Sequence, residues 1–242
     1  MLKAVTFDLW KTVVKQSPGD NIDEIVTAGL EAVLTRHGQT RSRAKIMDAT
    51  IQCRDKVMGL QVNEGKEMTP QQQLDWIVGL LDIPRMDPLL TELYEAYTTA
   101  TLKKMPEPVP GVAQVLERLQ SQMDLALICN TGKTPGSVAR IILERLELKK
   151  YFSQLFFSDE VGVAKPHPKI FQETLHALGL KPNQAVHIGD DVRTDVKGAR
   201  NVGMYTAWLA YGRELDGVEC DVVVNQWEDF MVWVGKKAMN KF

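Results

Sequence analysis

Four apolar, strand-like runs in this 242-residue chain end on side chains that can do chemistry. AVTF (residues 4–7) leads into Asp8, with Trp10 two residues on, and DLALIC ends at Cys129, Asn130 and Thr131. QLFF is followed by Ser158 and Asp159, and AVHIG by Asp190 and Asp191. Lys165 comes after the third run, in GVAKPHP, and Asp195 stands one turn beyond the fourth. Taken singly, an aspartate after a strand is commonly a turn former or a helix cap, and a lysine before proline is a solvated loop charge. Taken together they converge, because ligands of open parallel sheets bind outside the carboxyl ends of the strands. Two carboxylates ~4 Å apart repel by about 4 kcal/mol at an effective dielectric of 20. Such a cluster calls for a cation. Lys165 plus a divalent metal would supply it, and an oxygen-rich set with no thiolate pair favours Mg²⁺.

The elements that must hold these residues follow from hydrophobic periodicity. Residues 20 to about 104 read as helical throughout. Ile22, Ile25, Val26, Leu30, Val33 and Leu34 form one apolar face, as do Leu74, Ile77, Val78 and Leu81, and again Leu89, Leu90, Leu93 and Tyr97. Thr69-Pro70 suits an N-cap and first helical position, and the turn-rich SPGD and PEPVPG bracket the segment. From residue 111 onward strands and helices alternate, which predicts βαβ units, a parallel sheet and helices on both faces. The expected fold is therefore α/β: a doubly wound, Rossmann-like sheet built from residues 1–15 and 105–242, interrupted by a helical cap of residues 16–104.

Composition narrows the partners. Lys plus Arg is 29 against 31 Asp plus Glu, a formal charge of −2, without the basic excess of a nucleic-acid binder. The closing KKAMNKF reads as a short solvated tail. No apolar run approaches the ~20 residues that span a bilayer, and no charged-then-apolar leader precedes the first strand, so no membrane partner and no secretion are expected. Cys53, Cys129 and Cys220 lie far apart with no CxxC pair, which points to free thiols in a reducing cytoplasm. Nothing in the sequence sets an oligomeric state.

FDLWKT, ICNTG, VGVAKPHPKIF and HIGDDVRTDVKGA, in this order, resemble the four motifs of the haloacid dehalogenase (HAD) superfamily of hydrolases. The helical insert after the first motif resembles its helical-cap subfamily. The resemblance implies that Asp8 is the nucleophile and a metal ligand, that the backbone carbonyl of Trp10 is a second ligand, and that Asp190 holds the metal directly. It implies further that Lys165 stabilises the nucleophile and the transferring group, with Asp191 and Asp195 in support. Position 129 would hold phosphate, with Asn130 its neighbour and Lys165 also binding it.

Two residues depart from the phosphatase pattern, which has aspartate at position 10 and serine or threonine at 129. A thiol at Cys129 is a weak donor, so phosphate would lean on backbone N–H groups there and at the following helix start, or on the Thr131 hydroxyl. Trp10 removes the group that would protonate the leaving oxygen, help worth ~10²–10⁴ in rate. The leading expectation is a Mg²⁺-dependent phosphatase that hydrolyses a small phosphate monoester through an aspartyl-phosphate on Asp8. Two alternatives stand beside it. One is a 2-haloacid dehalogenase, whose family resemblance implies no metal, an aromatic residue two after the nucleophile, and serine–serine–asparagine where Asp190 and Asp191 stand. The other is a non-enzymatic binding module of the same fold. Of the remaining polar residues, His187 is expected to pack in its strand and His167 to cap the next helix. Lys133 and Arg193 are expected on loops at the same sheet edge, and Arg41, Arg43, Arg54 and Lys56 on a solvated helix face.

Overall fold

A computed structural model describes residues 1–214, 217 and 219–239. The end of the basic tail, residues 240–242, lies outside the described residues. Down the chain come β1 (Ala4–Phe7) and β2 (Val14–Lys15), then helices α1 (Ile22–Arg36), α2 (Arg43–Glu64), α3 (Pro70–Leu80), α4 (Leu89–Thr98) and α5 (Ala100–Lys103). There follow β3 (Glu107–Pro108), α6 (Val112–Gln120), β4 (Asp124–Cys129), α7 (Gly136–Arg145), β5 (Gln154–Phe157), α8 (Ser158–Val161) and α9 (Pro168–Ala177). The chain continues with β6 (Ala185–Gly189), a wide π-type turn (Val192–Val196), α10 (Lys197–Asn201), β7 (Tyr205–Leu209), β8 (Val222–Val224) and α11 (Trp227–Met239).

Six strands form one sheet in the order β5-β4-β1-β6-β7-β8, and every pairing in it is parallel. All four residues of β1 are buried, which is why that strand reads as an unbroken apolar run rather than an alternating one. The chain winds outward from β1 through β4 to β5, then returns to β6 on the other side of β1. That reversal puts the topological switch point at the carboxyl end of β1, where Asp8 stands.

The three apolar stripes of α1, α3 and α4 do meet: Val26, Leu30, Leu34, Leu74, Ile77, Leu89, Leu93 and Tyr97 share one buried cluster, apart from that of the sheet. Helix α2 joins it through Ile46, Ala49, Cys53 and Val57. Thr69 and Gln72 complete a capping box at the start of α3, with Pro70 in its first turn. The sequence gives no sign of the two-residue antiparallel pair β2–β3, which joins the two strands linking the helices to the sheet. A pair that short has no period to detect.

A second tie fastens the helices to the loop that carries Lys165. Gly65 caps α2 in the left-handed region (φ 64), and its carbonyl accepts the Ala164 N–H at 3.0 Å, beside an antiparallel bridge between Lys66 and Val163. A Cβ at Gly65 would lie 2.8 Å from that of His167. Only glycine supplies both the backbone angle and the close approach there.

Candidate active site

Lys165 is the hub of the sheet's carboxyl edge. Its ammonium, 1% exposed, donates to Asp8 Oδ1 at 2.6 Å and to the Ile128 carbonyl at 2.8 Å, and it lies 2.7 Å from Asp195 Oδ1. Three protons meet three acceptors, so this buried charge is fully satisfied. Burial alone would lower the Lys165 pKa, but the Asp195 and Asp8 carboxylates outweigh it and hold the group firmly protonated.

Asp195 reaches back to the site because the π-type turn widens the chain after β6. Its Oδ2 accepts the Asp191 N–H at 3.0 Å, and the His187 ring faces Oδ1 at 3.3 Å through Nε2 while Nδ1 meets the Thr6 hydroxyl at 2.8 Å. His187 is thus the packed, hydrogen-bonded strand residue expected, and burial lowers its pKa, so the ring is neutral. Burial opposes the Asp195 charge, yet Lys165 and the His187 N–H hold its carboxyl below the usual range. Gly189 makes room for this arrangement, since a Cβ there would fall 2.2 Å from Asp195 Oδ2.

Asp8 fares differently. Burial pushes its carboxyl up to about 7 against the pull of Lys165, and the Asp195 and Asp190 charges add to the rise. Asp190 is raised as well, by burial first and by Asp195 second. Carboxylate oxygens of Asp8, Asp190 and Asp195 all lie within 4.8 Å of one another. One ammonium faces three carboxylates here, with Lys11 and Arg213 reaching only 4.0 and 3.9 Å from Asp190 on the outer side. An oxygen-only donor set with an unbalanced negative charge is what a hard divalent cation requires, so the residues present fit Mg²⁺. The Asp190 carbonyl is pinned by the Trp208 N–H at 3.2 Å and by Arg213 at 2.9 Å. Asp191 accepts the Arg193 N–H at 2.8 Å and the Arg193 guanidinium at 3.0 Å, tying down the turn.

The residues expected around phosphate are placed less simply. Cys129 is fully buried, its thiol turned to the Asn130 carbonyl at 3.3 Å, and burial pushes its pKa well up. Asn130 clasps the backbone of Lys165, accepting its N–H at 2.7 Å and donating to its carbonyl at 2.9 Å. The Thr131 N–H goes to Ser158 Oγ at 2.8 Å, with the two hydroxyls 3.1 Å apart. The first N–H of α7, at Gly136, is shared between both Asp159 oxygens at 3.2 Å. Of the backbone donors expected to meet phosphate at the end of β4 and the start of α7, those of Thr131 and Gly136 are therefore taken by Ser158 and Asp159. Asn130 and Lys165 line the cavity of about 160 Å³ over Asp8, together with Trp10 and Asp190.

The helical insert contributes a wall that periodicity does not reveal. Met58, Gln61 and Val62 of α2 face the same cavity. Arg54, expected on a solvated face, pairs instead with Asp23, which Lys133 also approaches at 3.4 Å across the boundary between helices and sheet. Arg41 is tied to the carbonyls of Leu81 and Asp82 and Arg43 to Glu24 and Glu31, while Lys56 lies over the Trp76 ring. His167 caps α9, accepting the Lys169 N–H at 3.2 Å.

Glu67, also unforeseen, accepts from Gln61 at 3.1 Å and from the Met68 N–H at 2.9 Å. Burial pushes its pKa up to about 7, against a hydrogen bond from Ser158. The folded chain then keeps a proton that the unfolded chain has released between pH 4.5 and about 7, so Glu67 subtracts stability as pH rises through that window. Glu67→Gln should match wild type near pH 4.5 and gain on it by roughly 1–2 kcal/mol at pH 8, in urea denaturation at both pH values. A gap that does not change with pH would show that Glu67 titrates normally.

The model of the haloacid dehalogenase-like hydrolase family matches residues 2–203. The chain belongs to that family. It is 37% identical over 124 residues, 51% of this chain and 50% of the relative, to the glyceraldehyde 3-phosphate phosphatase of Pyrococcus furiosus. It is 27% identical over 223 residues, 89% of this chain and 87% of the relative, to the protein of that name from Methanopyrus kandleri. The matches to the Pyrococcus furiosus and Pyrococcus abyssi proteins span 50% and 57% of those relatives' length. The 2-haloacid dehalogenase of Pseudomonas syringae pv. Tomato has the same fold, with a TM-score of 0.74 at 20% identity over 98% of this chain and 99% of that one.

Proposed function

We propose that this protein is a Mg²⁺-dependent phosphatase acting on a small phosphate monoester, with Asp8 as the nucleophile. The observation that carries the reading is the trio Asp8, Asp190 and Asp195, with carboxylate oxygens within 4.8 Å of one another and the Lys165 ammonium paired with Asp8 and Asp195 only. A dehalogenase resemblance implies no metal and serine–serine–asparagine where Asp190 and Asp191 stand, so Asp190 beside Asp8 favours phosphoryl transfer. The phosphatase names of the curated relatives support it too.

In this reading Asp8, Asp190 and the Trp10 carbonyl hold the metal, which when bound neutralises the carboxylates and the phosphate oxygens facing them. Asp8 attacks phosphorus, the leaving oxygen departs, and water then hydrolyses the acyl phosphate to return the carboxylate. Lys165 keeps Asp8 oriented and offsets charge on the transferring group. Asp195 and Asn130 position Lys165, and Asp191 with Arg193 fixes the turn bearing Asp190. Residues 16–104 act as a cap that covers the site through α2, over a core of residues 1–15 and 105–242. The cytoplasm is the proposed compartment, since all three cysteines are free. Among the described residues, no helix is long and apolar enough to cross a membrane.

Phosphate release from an aryl phosphate, with and without Mg²⁺, tests the reading beside chloride release from 2-chloropropionate. Asp190→Asn should weaken Mg²⁺ binding at least tenfold and cut kcat/KM by about 10²–10³, as loss of one anionic ligand implies. Hydrolysis that survives EDTA unchanged would exclude the metal, and chloride release would favour the dehalogenase.

A further inference from the structure

The cavity over Asp8 does not end at Trp10. A second cavity, of about 260 Å³, adjoins it, and Trp10, Met58 and Gln61 line both. It lies between the helical insert and residues 131–134 and adjoins the cavity over Asp8, so it offers room for the leaving half of a phosphate ester held there. Its walls are largely apolar: Trp10, Ile22, Val57, Met58 and the ring of Tyr97.

Many of the polar side chains in those walls already have partners. The Tyr97 hydroxyl donates to Gln73 at 2.7 Å, Gln73 donates to the Met68 carbonyl at 2.6 Å, and the Thr50 hydroxyl to Ile46 at 2.9 Å. Thr101 and Thr134 pair at 2.9 Å, and Arg54 and Lys133 share Asp23. Gln16 also lines the cavity, but its Oε1, unpartnered among the described residues, is buried within the wall. A polyhydroxylated group would find few free partners here and would lose its own hydration. A flat apolar group would not. A cavity of about 150 Å³ admits benzene, so this one has room for a substituted or fused ring.

Proton supply points the same way. Every carboxyl lining either cavity is committed: Asp8 and Asp190 to the reaction centre, Asp195 to Lys165, Asp191 to Arg193, and Asp23 to Arg54 and Lys133. Among the described residues none stands free to protonate a leaving oxygen, and the family's acid position holds an indole. Without a carboxyl donor, a leaving oxygen that departs as the anion is favoured, which selects one whose conjugate acid is more acidic than an alkanol.

Resting on the phosphatase reading, we propose that the substrate is the phosphate monoester of an aryl or enol hydroxyl, with its flat apolar part lodged between Trp10 and Met58. The bond broken is phosphorus–oxygen, and the aryloxide or enolate leaves with the electron pair and takes its proton from solvent.

Phenyl phosphate and benzyl phosphate carry the same ring but differ in leaving-group acidity, and their kcat/KM values under Mg²⁺ test the proposal. Phenyl phosphate should be favoured by at least about 10³-fold, and 1-naphthyl phosphate should show a lower KM than phenyl phosphate. Trp10→Asp should narrow the phenyl-to-benzyl ratio by about 10²–10⁴, the value of a restored acid. Should that variant misfold, Trp10→Phe, which keeps an aromatic wall, must leave the wild-type ratio in place. A wild-type ratio within tenfold overturns the substrate class while leaving the phosphatase reading intact, with Lys11 or Lys133 then the proton donor. Release of phosphate from neither ester overturns both.

Discussion

Asp8→Asn should reduce turnover by at least about 10⁴-fold, the scale at which nucleophile deletions stop covalent catalysis, while leaving the fold intact. The amide matches the carboxylate in shape and still accepts the Lys165 proton through its oxygen. The fold has reason to tolerate the exchange. Burial has already pushed the Asp8 carboxyl to about 7, so the protein without metal holds this charge at a cost. In EDTA at pH 8 the variant should therefore melt at or above the wild-type temperature, because a disfavoured buried charge is gone. With saturating Mg²⁺ the order should reverse, since wild type gains binding energy that the amide cannot supply. Turnover and two melting curves separate the cases. A variant that melts far below wild type in EDTA would mean that the Asp8 charge is structural, and retained turnover would exclude Asp8 as the nucleophile.

Much of this site was legible in the sequence for one physical reason. Strands buried on both faces of a parallel sheet must be apolar throughout, so each ends abruptly where the backbone reaches the ligand edge. Asp8, Asp190 and Lys165 stand out against such runs. The convergence of Asp195 was legible as position but not as direction, because the π-type turn that swings it back toward Lys165 has no residue signature of its own. Ser158 was visible at the end of β5, yet nothing in a single chain tells that its hydroxyl takes the Thr131 N–H, a contact 27 positions apart.

The helical side was nearly silent. An apolar stripe reports the face a helix buries within its own bundle, and α1, α3 and α4 show it. Helix α2 has a second face toward the cavity over Asp8, and no stripe singles out Met58 and Gln61 on it. Arg54 looked solvated, because its partner Asp23 lies 31 positions away. Periodicity records one interface per helix, and the wall of the cavity over Asp8 is the other.

Removing the charge of Lys165 should have the largest combined effect of any single substitution in the molecule. In Lys165→Ala the carboxylates of Asp8 and Asp195, 7% and 2% exposed, would face each other without the ammonium between them, and the Ile128 carbonyl would lose its donor. Breaking a buried pair by taking one partner costs about 3–5 kcal/mol, which for a chain of this size lowers Tm by roughly 6–20 °C. Catalysis should fall by about 10²–10³ or more, as when one preorganised donor is lost from a developing anion. Alanine also leaves a cavity, so Lys165→Met, which fills the space without the charge, separates the two causes. If electrostatics dominate, methionine should be nearly as unstable as alanine, and raising the pH from 5 to 8 should widen its deficit as Asp8 ionises. The pairing itself is read from the double variant. In an Asp8→Asn background, Lys165→Met should cost at least about 1 kcal/mol less than in wild type, because one of the two carboxylates is already gone. Additive losses would show that Lys165 serves Asp195 alone, and unchanged turnover in Lys165→Met would remove it from the reaction.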